Sequence, residues 1–253
     1  MYFDSHAHLD DRRFQEDRDQ IFRELKDHQV HYIMNVGCDL PSSERSIALA
    51  EQYDFVYASV GSHPDDADHV DGKLLDRYRQ LAAHKKVLAI GEIGLDYHYE
   101  DVPRAQQIIA FEEQIELAES LKLPVIVHMR EAAEDAMAIV KRHPELRGVF
   151  HCFSGSAELA KWLTARGWYL GFTGVVTFKN ARRALEAVQA VPLEQILIET
   201  DCPYMAPEPY RGRRNDSRLV PLVAAKIAEL KGISPEEAGY QTTQNAKTLF
   251  GIE

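Results

Sequence analysis

The stretch YFDSHAH, residues 2–8, begins with apolar side chains and ends with two histidines that are separated by one residue. Side chains of a β-strand alternate between its two faces, so His6 and His8 point to the same side, together with Asp4. Two imidazoles on one face can bind a single metal ion. By itself the pattern is weak evidence, because a His-x-His sequence is more often a pair of surface histidines.

Seven further apolar runs that end in polar residues or glycine follow along the chain. They are HYIMNVGC (31–38), FVYASVGSH (55–63), VLAIGEIGLD (87–96), PVIVHMR (124–130), GVFHCFSG (148–155), WYLGFTG (168–174) and QILIETDCP (195–203). Most are nearly continuous in apolar residues, which is typical of strands covered on both faces in a parallel sheet. Stretches with helical spacing lie between them, at 105–121, 156–166, 180–190 and 219–230.

Eight strand–helix units in 253 residues predict an α/β protein with the architecture of a (β/α)8 TIM barrel. The alternative is a doubly wound open sheet. That fold usually needs fewer strands, and no GxGxxG motif follows the first run. No linker or low-complexity segment divides the sequence, so we expect residues 1–253 to form a single barrel domain.

The composition, 45% hydrophobic and 27% charged, is ordinary for a globular protein. The net charge of −11 argues against a broad, nonspecific grip on nucleic acid, but it leaves room for a local basic or metal-lined cleft. No apolar run reaches the length of about 18 residues that a membrane span needs. The chain starts without a basic and apolar leader, and its three cysteines form no CxxC motif, so we expect a cytoplasmic protein.

Side chains that can bind metal ions follow the apolar part of six of the predicted strands. They are His6, His8, His63, Glu92, His128, His151 and Asp201. In a (β/α)8 barrel the carboxyl ends of the strands meet at the face that carries the chemistry. Each residue alone has an ordinary explanation, such as a hydrogen-bonded core histidine or a surface acid. Together they predict a metal site.

The number of ligands suggests two metal ions, because a catalytic zinc takes about three protein ligands. Four of the histidines and two acids are available, and Glu92 is the natural carboxylate to bridge the ions. Two such ions can activate a water at neutral pH and hold the attacking and leaving oxygens of a displacement. Mixed nitrogen and oxygen ligands are compatible with Zn, Mn or Mg, so the identity of the metal stays open.

The chain resembles the TatD-type metal-dependent deoxyribonucleases, which belong to the amidohydrolase-like barrels. The resemblance covers essentially the whole chain in order and spacing, through the motifs HAHLD (6–10), GSHP (61–64), GEIGLDY (91–97), PVIVHMR (124–130), HCFSG (151–155), ETDCPY (199–204), RGRRN (211–215) and NAKTLFG (245–251). It implies a barrel that hydrolyses phosphodiester bonds of DNA with divalent metals, often from a 3′ end.

The resemblance also implies a role for each matching residue. One ion would be bound by His6, His8, Glu92 and Asp201. The second ion would be bound by Glu92, His128 and His151. Asp201 would orient the attacking water or take its proton, and His63 would lie beside the scissile phosphate. Asp201 and Glu92 are therefore the predicted catalytic residues.

The sequence departs from the family pattern at two places. Asp65 and Asp66 follow the GSHP motif, where the family often has another histidine. Acids beside a phosphate site would weaken the binding of DNA. Ser217 stands where proline is more common, which is a smaller change.

Two arginines are candidates for binding substrate phosphates, because the planar guanidinium suits bidentate contact with them. Arg130 shares a strand face with His128, and its alternative role is a salt bridge with a loop acid. Arg211 lies in the loop after the last strand, where the alternative is a solvated cluster of charges. Glu199 shares its face with Asp201, and we expect it to be a buried partner of a metal-binding histidine.

The leading function is thus a divalent-metal-dependent deoxyribonuclease that acts on single-stranded DNA or 3′ ends. The alternative is a metal-dependent acyl, amide or lactone hydrolase that acts on a small metabolite or an aminoacyl-RNA end, since such barrels host many reactions. A non-catalytic binding barrel is the third reading. The sequence shows no sign of an obligate protein partner or of a membrane.

Overall fold

The computed structural model describes residues 1–99 and 101–253, and these contain eight strands and nine α-helices. The strands are β1 (Tyr2–Ala7), β2 (Val30–Val36), β3 (Val56–Val60), β4 (Val87–Asp96), β5 (Val125–Arg130), β6 (Gly148–Phe150), β7 (Tyr169–Phe172) and β8 (Ile196–Ile198). The helices are α1 (Arg18–Glu24), α2 (Leu40–Gln52), α3 (Gly72–Leu81), α4 (Arg104–Leu121), α5 (Ala133–Arg142), α6 (Ala157–Thr164), α7 (Arg182–Ala190), α8 (Val220–Lys231) and α9 (Pro235–Phe250).

The strands form one sheet in which the neighbours follow chain order from β1 to β8. Parallel pairing is seen between β1 and β2, from β3 through β6, and between β7 and β8. A parallel bridge joins Ala7, at the end of β1, to Cys202, which follows β8, so the first and last strands also meet. The prediction of a (β/α)8 barrel is therefore confirmed.

Several strands are shorter than the apolar runs that predicted them. The run 195–203 contains only the three residues of β8, and the run 148–155 contains only the three residues of β6. The backbone leaves the strand conformation beyond these points, with positive φ angles at Cys152 and Asp201. The polar ends of the runs are thus loop segments that begin where the sheet ends.

The described chain divides into two compact units. The first unit comprises Met1–Asn35 and Cys152–Glu253, and the second comprises Val36–His151. The assignment of residues 1–253 to a single domain stays a prediction.

In the first unit, strand β1 is buried along its whole length and packs against helix α9. The ring of Phe3 lies 6.1 Å from that of Phe250 at the end of α9. A Cβ atom on Gly239 would lie 2.4 Å from the ring of Tyr2, so glycine allows the helix to approach this closely. This packing fixes β1, the strand that carries His6.

In the second unit, strands β4 and β5 approach each other closely at Gly94. A Cβ atom at this position would lie 2.0 Å from the carbonyl oxygen of His128, and the φ of Gly94 is +143°. Only glycine adopts that backbone conformation without strain. The approach brings the polar side chains of the two strands together.

The structure contains no helix, among the residues it describes, that is long and apolar enough to cross a membrane.

Asn245 on α9 makes hydrogen bonds whose contribution to stability can be measured. Its side-chain amide donates to the carbonyls of Leu193 and Ile196, at 2.7 and 2.8 Å, and so attaches α9 to the start of β8. We expect Asn245→Ala to lower the free energy of unfolding by about 2 kcal/mol, because these acceptors lose their donor. Urea denaturation measures the change. Thr248→Ala, on the exposed side of the same helix, is the control and should stay within about 0.5 kcal/mol of the parent. Equal effects of the two substitutions would contradict the assigned role.

Candidate metal centre

Histidine and carboxylate side chains that can bind metal ions form two groups, one in each unit. The first-unit donor group consists of His6, His8 and Asp201. The second-unit donor group consists of His63, Glu92, His128 and His151. The members lie on strands β1, β4 and β5 or in the segments that follow β1, β3, β6 and β8.

In the first-unit donor group, the Nε2 atoms of His6 and His8 lie 3.1 Å apart, as the alternation of side chains on β1 predicts. The Oδ1 atom of Asp201 lies 3.4 Å from the Nε2 atom of His8 and 3.8 Å from that of His6. His6 is fully buried, whereas His8 and Asp201 are partly exposed. Two nitrogens and a carboxylate oxygen thus converge at the edge of the sheet.

Backbone hydrogen bonds bring Asp201 to this position. The amide of Asp201 donates to the carbonyl of His6, and the amide of His8 donates to the carbonyl of Cys202, both at 2.9 Å. Asp201 itself has a φ of +54°, in the left-handed region that aspartate tolerates better than most residues. The turn after β8 is therefore attached to the end of β1.

Asp4, the third residue on this face of β1, is fully buried and faces a set of donors. Its carboxylate accepts hydrogen bonds from the amide of Thr200 at 2.8 Å and from the hydroxyls of Thr200 and Ser217, both at 2.6 Å. Burial raises the pKa of Asp4 to about 7, although these hydrogen bonds act to lower it.

Glu199, the predicted partner of a metal-binding histidine, is also fully buried. Its carboxylate accepts from the amide of Cys152 at 2.6 Å and from the hydroxyl of Ser5 at 3.3 Å. A carboxylate oxygen of Glu199 lies within 4.8 Å of a ring nitrogen of His6. A Cβ atom on Gly171 would lie 2.3 Å from Oε2 of Glu199, so the glycine leaves room for the acid. The proposed partnership with a histidine stays a prediction.

The second-unit donor group is centred on one oxygen. The Oε1 atom of Glu92 lies 2.7 Å from Nε2 of His151, 2.9 Å from Nδ1 of His128 and 3.7 Å from Nε2 of His63. The two nearer nitrogens are themselves 3.1 Å apart. Glu92 was expected at the end of its strand, but β4 continues to Asp96, and its pairing register with β5 shifts between Ile90 and Ile93.

Asp96 is a site residue that sequence reasoning missed. Its Oδ2 atom lies 3.0 Å from Nε2 of His128, on the side of the ring away from Glu92. Gln107 on α4 holds the backbone of Asp96, since it accepts from the amide and donates to the carbonyl, both at 2.9 Å. The signal was present in the sequence, because residues 92 and 96 lie on the same face of a strand.

The carboxylates of Asp96 and Glu92 raise the pKa of His128, whose ring lies between them. Burial lowers the pKa of His128, but the hydrogen bonds with Asp96 and Glu92 outweigh this effect and raise it above its ordinary value. Burial raises the pKa of Asp96, and the hydrogen bonds from His128 and from the amide of His98 bring it below its usual range.

His63 contacts the acid that departs from the family pattern. The Oδ2 atom of Asp65 lies 3.3 Å from Nδ1 of His63, and the hydrogen bond lowers the pKa of Asp65. The other ring nitrogen of His63 is the one that faces Glu92. The acid after the GSHP motif therefore lies against the histidine and is largely exposed.

The candidate arginines differ in their surroundings. Arg130 is partly exposed, with its guanidinium 5.2 Å from the centre of the Tyr99 ring and 4.0 Å from Asp96. Arg211 is exposed and lies 4.3 Å from the centre of the Phe178 ring. Arg214, in the same loop, forms an ion pair with Asp17. Among the residues that the structure describes, Arg211 has no acidic partner, so its charge is available to an anion.

The donor set fits divalent metal ions. Imidazole nitrogens and carboxylate oxygens are the ligands that Zn and Mn accept, and carboxylates also suit Mg. His128 further has the arrangement that metal-binding histidines usually show, with the second ring nitrogen hydrogen-bonded to a carboxylate. His63, Glu92 and His128 each offer a ligand atom within 4.8 Å of the others.

Comparison with known proteins places this chain in a family. The family model described as "TatD related DNase" matches residues 3–251. The uncharacterized metal-dependent hydrolase YabD of Bacillus subtilis is 44% identical over 254 residues, with all of both chains covered. A protein of Erwinia tasmaniensis that is named 3′-5′ ssDNA/RNA exonuclease TatD is 32% identical, over 99% of this chain and 100% of its own.

A solved structure agrees with this relationship. The crystal structure of YJJV, a TatD homologue from Escherichia coli K12, superimposes with a TM-score of 0.93 at 30% identity, and it covers 100% of this chain and 98% of its own. The match extends over the strands that carry both donor groups. The chain is a metal-dependent hydrolase and belongs to the TatD-related DNase family.

Proposed function

We propose that this hydrolase is a deoxyribonuclease that removes nucleotides from the 3′ end of single-stranded DNA with the help of two divalent metal ions. The observation that carries the proposal is the cluster around Glu92, in which one carboxylate oxygen lies within 2.9 Å of two histidine nitrogens. The family description and the name of the Erwinia tasmaniensis relative support a nucleic acid as substrate.

The proposed ligands of the two ions come from the two donor groups described above. His6, His8 and Asp201 would bind one ion, and Glu92, His128 and His151 would bind the other. The assignment of Glu92 to both ions stays a prediction from the sequence. Bound divalent ions would supply a water of lowered pKa and would stabilise the charge that develops on the phosphate oxygens.

The remaining steps belong to side chains of the chain itself. Asp201 is partly exposed beside His8, so its carboxylate can orient the attacking water and accept its proton. The guanidinium groups of Arg130, which is partly exposed, and Arg211, which is exposed, would bind phosphate oxygens, because their planar shape suits bidentate contact. His63 would lie beside the scissile phosphate, with Asp65 holding its far ring nitrogen.

The nuclease assignment is tested by adding Mg, Mn or Zn to metal-stripped protein with a labelled single-stranded oligonucleotide. We expect metal-dependent shortening from the 3′ end, and Asp201→Asn should slow it by at least about a hundredfold, because the group that handles the proton of the attacking water is lost. Asp54→Asn, at an exposed position, is the control.

The pattern of labelled products gives the direction of cleavage. Cleavage that is unaffected by Asp201→Asn would remove this residue from the mechanism. A protein that binds metal but cleaves no DNA would contradict the nuclease assignment and direct attention to acyl, amide or lactone substrates.

The metal assignment is tested by measuring bound Mn or Zn in His6→Ala and Glu92→Ala by elemental analysis. Both variants should lose bound metal but keep the circular dichroism spectrum of the parent, since the strands beneath are apolar, with Ile90 and Ile93 fully buried in β4. Glu116→Ala, on the exposed side of α4, is the control. Loss of the fold together with the metal would count against a purely functional role for these residues.

Asp96→Asn tests the contact behind His128. We expect the affinity for Zn to fall by about ten- to a hundredfold, because the carboxylate orients the ring and increases its basicity. Competition with a chelating dye measures the affinity. Asp135→Asn is the matched control, since Asp135 accepts a hydrogen bond from Tyr97 on the neighbouring segment. Equal affinities in the two variants would show that Asp96 does not tune the ligand.

A further inference from the structure

The segment Thr200–Tyr204 carries Asp201 and is held by side chains on both of its flanks. It follows β8 and contains Asp201, whose φ is +54°, and Met205, which directly follows the segment, also has a positive φ, of +53°. Apart from the bridge between Ala7 and Cys202, the segment has no regular secondary structure. The position of the Asp201 carboxylate therefore depends on the contacts that the neighbouring residues make.

Asp4 holds one flank of the segment. Its Oδ1 atom accepts from the amide of Thr200 at 2.8 Å, and its Oδ2 atom accepts from the hydroxyl of Thr200 at 2.6 Å. The hydroxyl of Thr200 in turn accepts from the amide of Cys202 at 3.3 Å. The carboxylate of Asp4 is thus connected to the residues on both sides of Asp201.

Ser217 completes the environment of Asp4. Its hydroxyl donates to Oδ2 of Asp4 at 2.6 Å, and all three side chains, Asp4, Thr200 and Ser217, are at most 1% exposed. A buried carboxylate is stable only when donors surround it, so each of these hydroxyls helps to keep Asp4 in one orientation.

Asn215 holds the other flank. Its side-chain amide donates to the carbonyls of Thr200 and Tyr204, at 2.8 and 2.7 Å, and its backbone amide donates to the carbonyl of Pro203 at 3.1 Å. Hydrogen bonds from Asn215 therefore hold the segment at Thr200, Pro203 and Tyr204. Asp201 is left as the residue whose side chain points away to His6 and His8.

We propose that Asp4, Thr200 and Ser217 form a positioning unit for Asp201, which sets the affinity of the first-unit donor group for a divalent ion without touching that ion or the reacting atoms. The inference rests on the metal role proposed above for Asp201. Loss of one hydroxyl leaves Oδ2 of Asp4 short of a donor, so the carboxylate reorients and Thr200 moves with it. A small displacement of Asp201 is enough to weaken a metal site, because ligand geometry is demanding.

The test uses Thr200→Val and Ser217→Ala, which remove one hydroxyl each and leave every proposed ligand in place. The affinity of the full-length, metal-stripped protein for Mn is measured by competition with a chelating dye, without any nucleic acid. We expect each variant to bind Mn at least about tenfold more weakly than the parent. Thr200→Ser keeps the hydroxyl and should restore the parent affinity.

Ser59→Ala is the matched control. Ser59 lies on β3 in the second unit and is fully buried, and its hydroxyl has no hydrogen-bond partner among residues 1–99 and 101–253. Its removal takes away a buried hydroxyl without disturbing the segment Thr200–Tyr204. The Mn affinity of this variant should equal that of the parent.

A merely structural role gives a different result. In that case Thr200→Val and Ser217→Ala would lower the unfolding temperature of the metal-free protein and leave the Mn affinity at the parent value, which would overturn the proposal. The absorption spectrum of the Co-substituted protein provides a second readout, and we expect its visible bands to change in these two variants only.

Failure of the proposed function would be seen separately. A parent protein that binds Mn but cleaves no DNA contradicts the nuclease assignment and leaves the positioning unit in place. A parent protein that binds no divalent ion overturns both proposals. If Ser217→Ala does not fold, Thr200→Val gives the same comparison on its own.

Discussion

Buried carboxylates must be matched by donors, and this constraint organises the interior of the protein around the strand ends. The acids concerned are Asp4, Glu92, Asp96 and Glu199. A carboxylate that is removed from water is costly unless hydrogen bonds or positive charge replace the lost solvation. In the first unit, the donors are backbone amides and hydroxyls from distant parts of the chain. In the second unit they are largely imidazoles, which can also bind metal ions.

The two environments explain why these acids have different roles. Asp4 is surrounded by neutral donors, and it is suited to hold backbone in place. Glu92 faces histidine nitrogens, an environment that suits the metal-binding role proposed for it. The same kind of side chain, a buried carboxylate, is thus suited to a structural role beside hydroxyls and to the proposed metal-binding role beside imidazoles.

Much of this arrangement could be predicted from the sequence, because apolar runs mark strands and period-two alternation places side chains on a face. That reasoning gave the barrel and the shared face of His6 and His8. Asp96 was open to the same argument but was overlooked, because the strand was expected to end at Glu92. Ser217 could not be found in this way. It lies well after β8, and its contact with Asp4 depends on how an irregular loop returns to the sheet.

The arginines after β8 are a second case in which the sequence alone does not predict the contacts of a side chain. The run RGRRN gives Arg211 and Arg214 the same local signature, but Arg214 pairs with Asp17 and Arg211 lies on Phe178. The difference depends on the residue that precedes α1 and on the segment after β7, both distant in sequence. A run of arginines in the sequence shows that guanidinium groups are present. Only the fold shows which of them already form ion pairs.

The exposed charge of Arg211 on a chain of net charge −11 has a consequence for the ionic conditions under which an anion approaches. At a distance the anion meets the repulsion of the whole chain, whereas in contact it meets the attraction of one guanidinium. Salt screens both, but it acts first on the long-range field, since the screening length is about 8 Å at physiological ionic strength. Moderate salt therefore speeds the encounter, and higher salt weakens the contact. We accordingly expect the activity of the protein on an anionic substrate to be highest at an intermediate ionic strength and not at the lowest one.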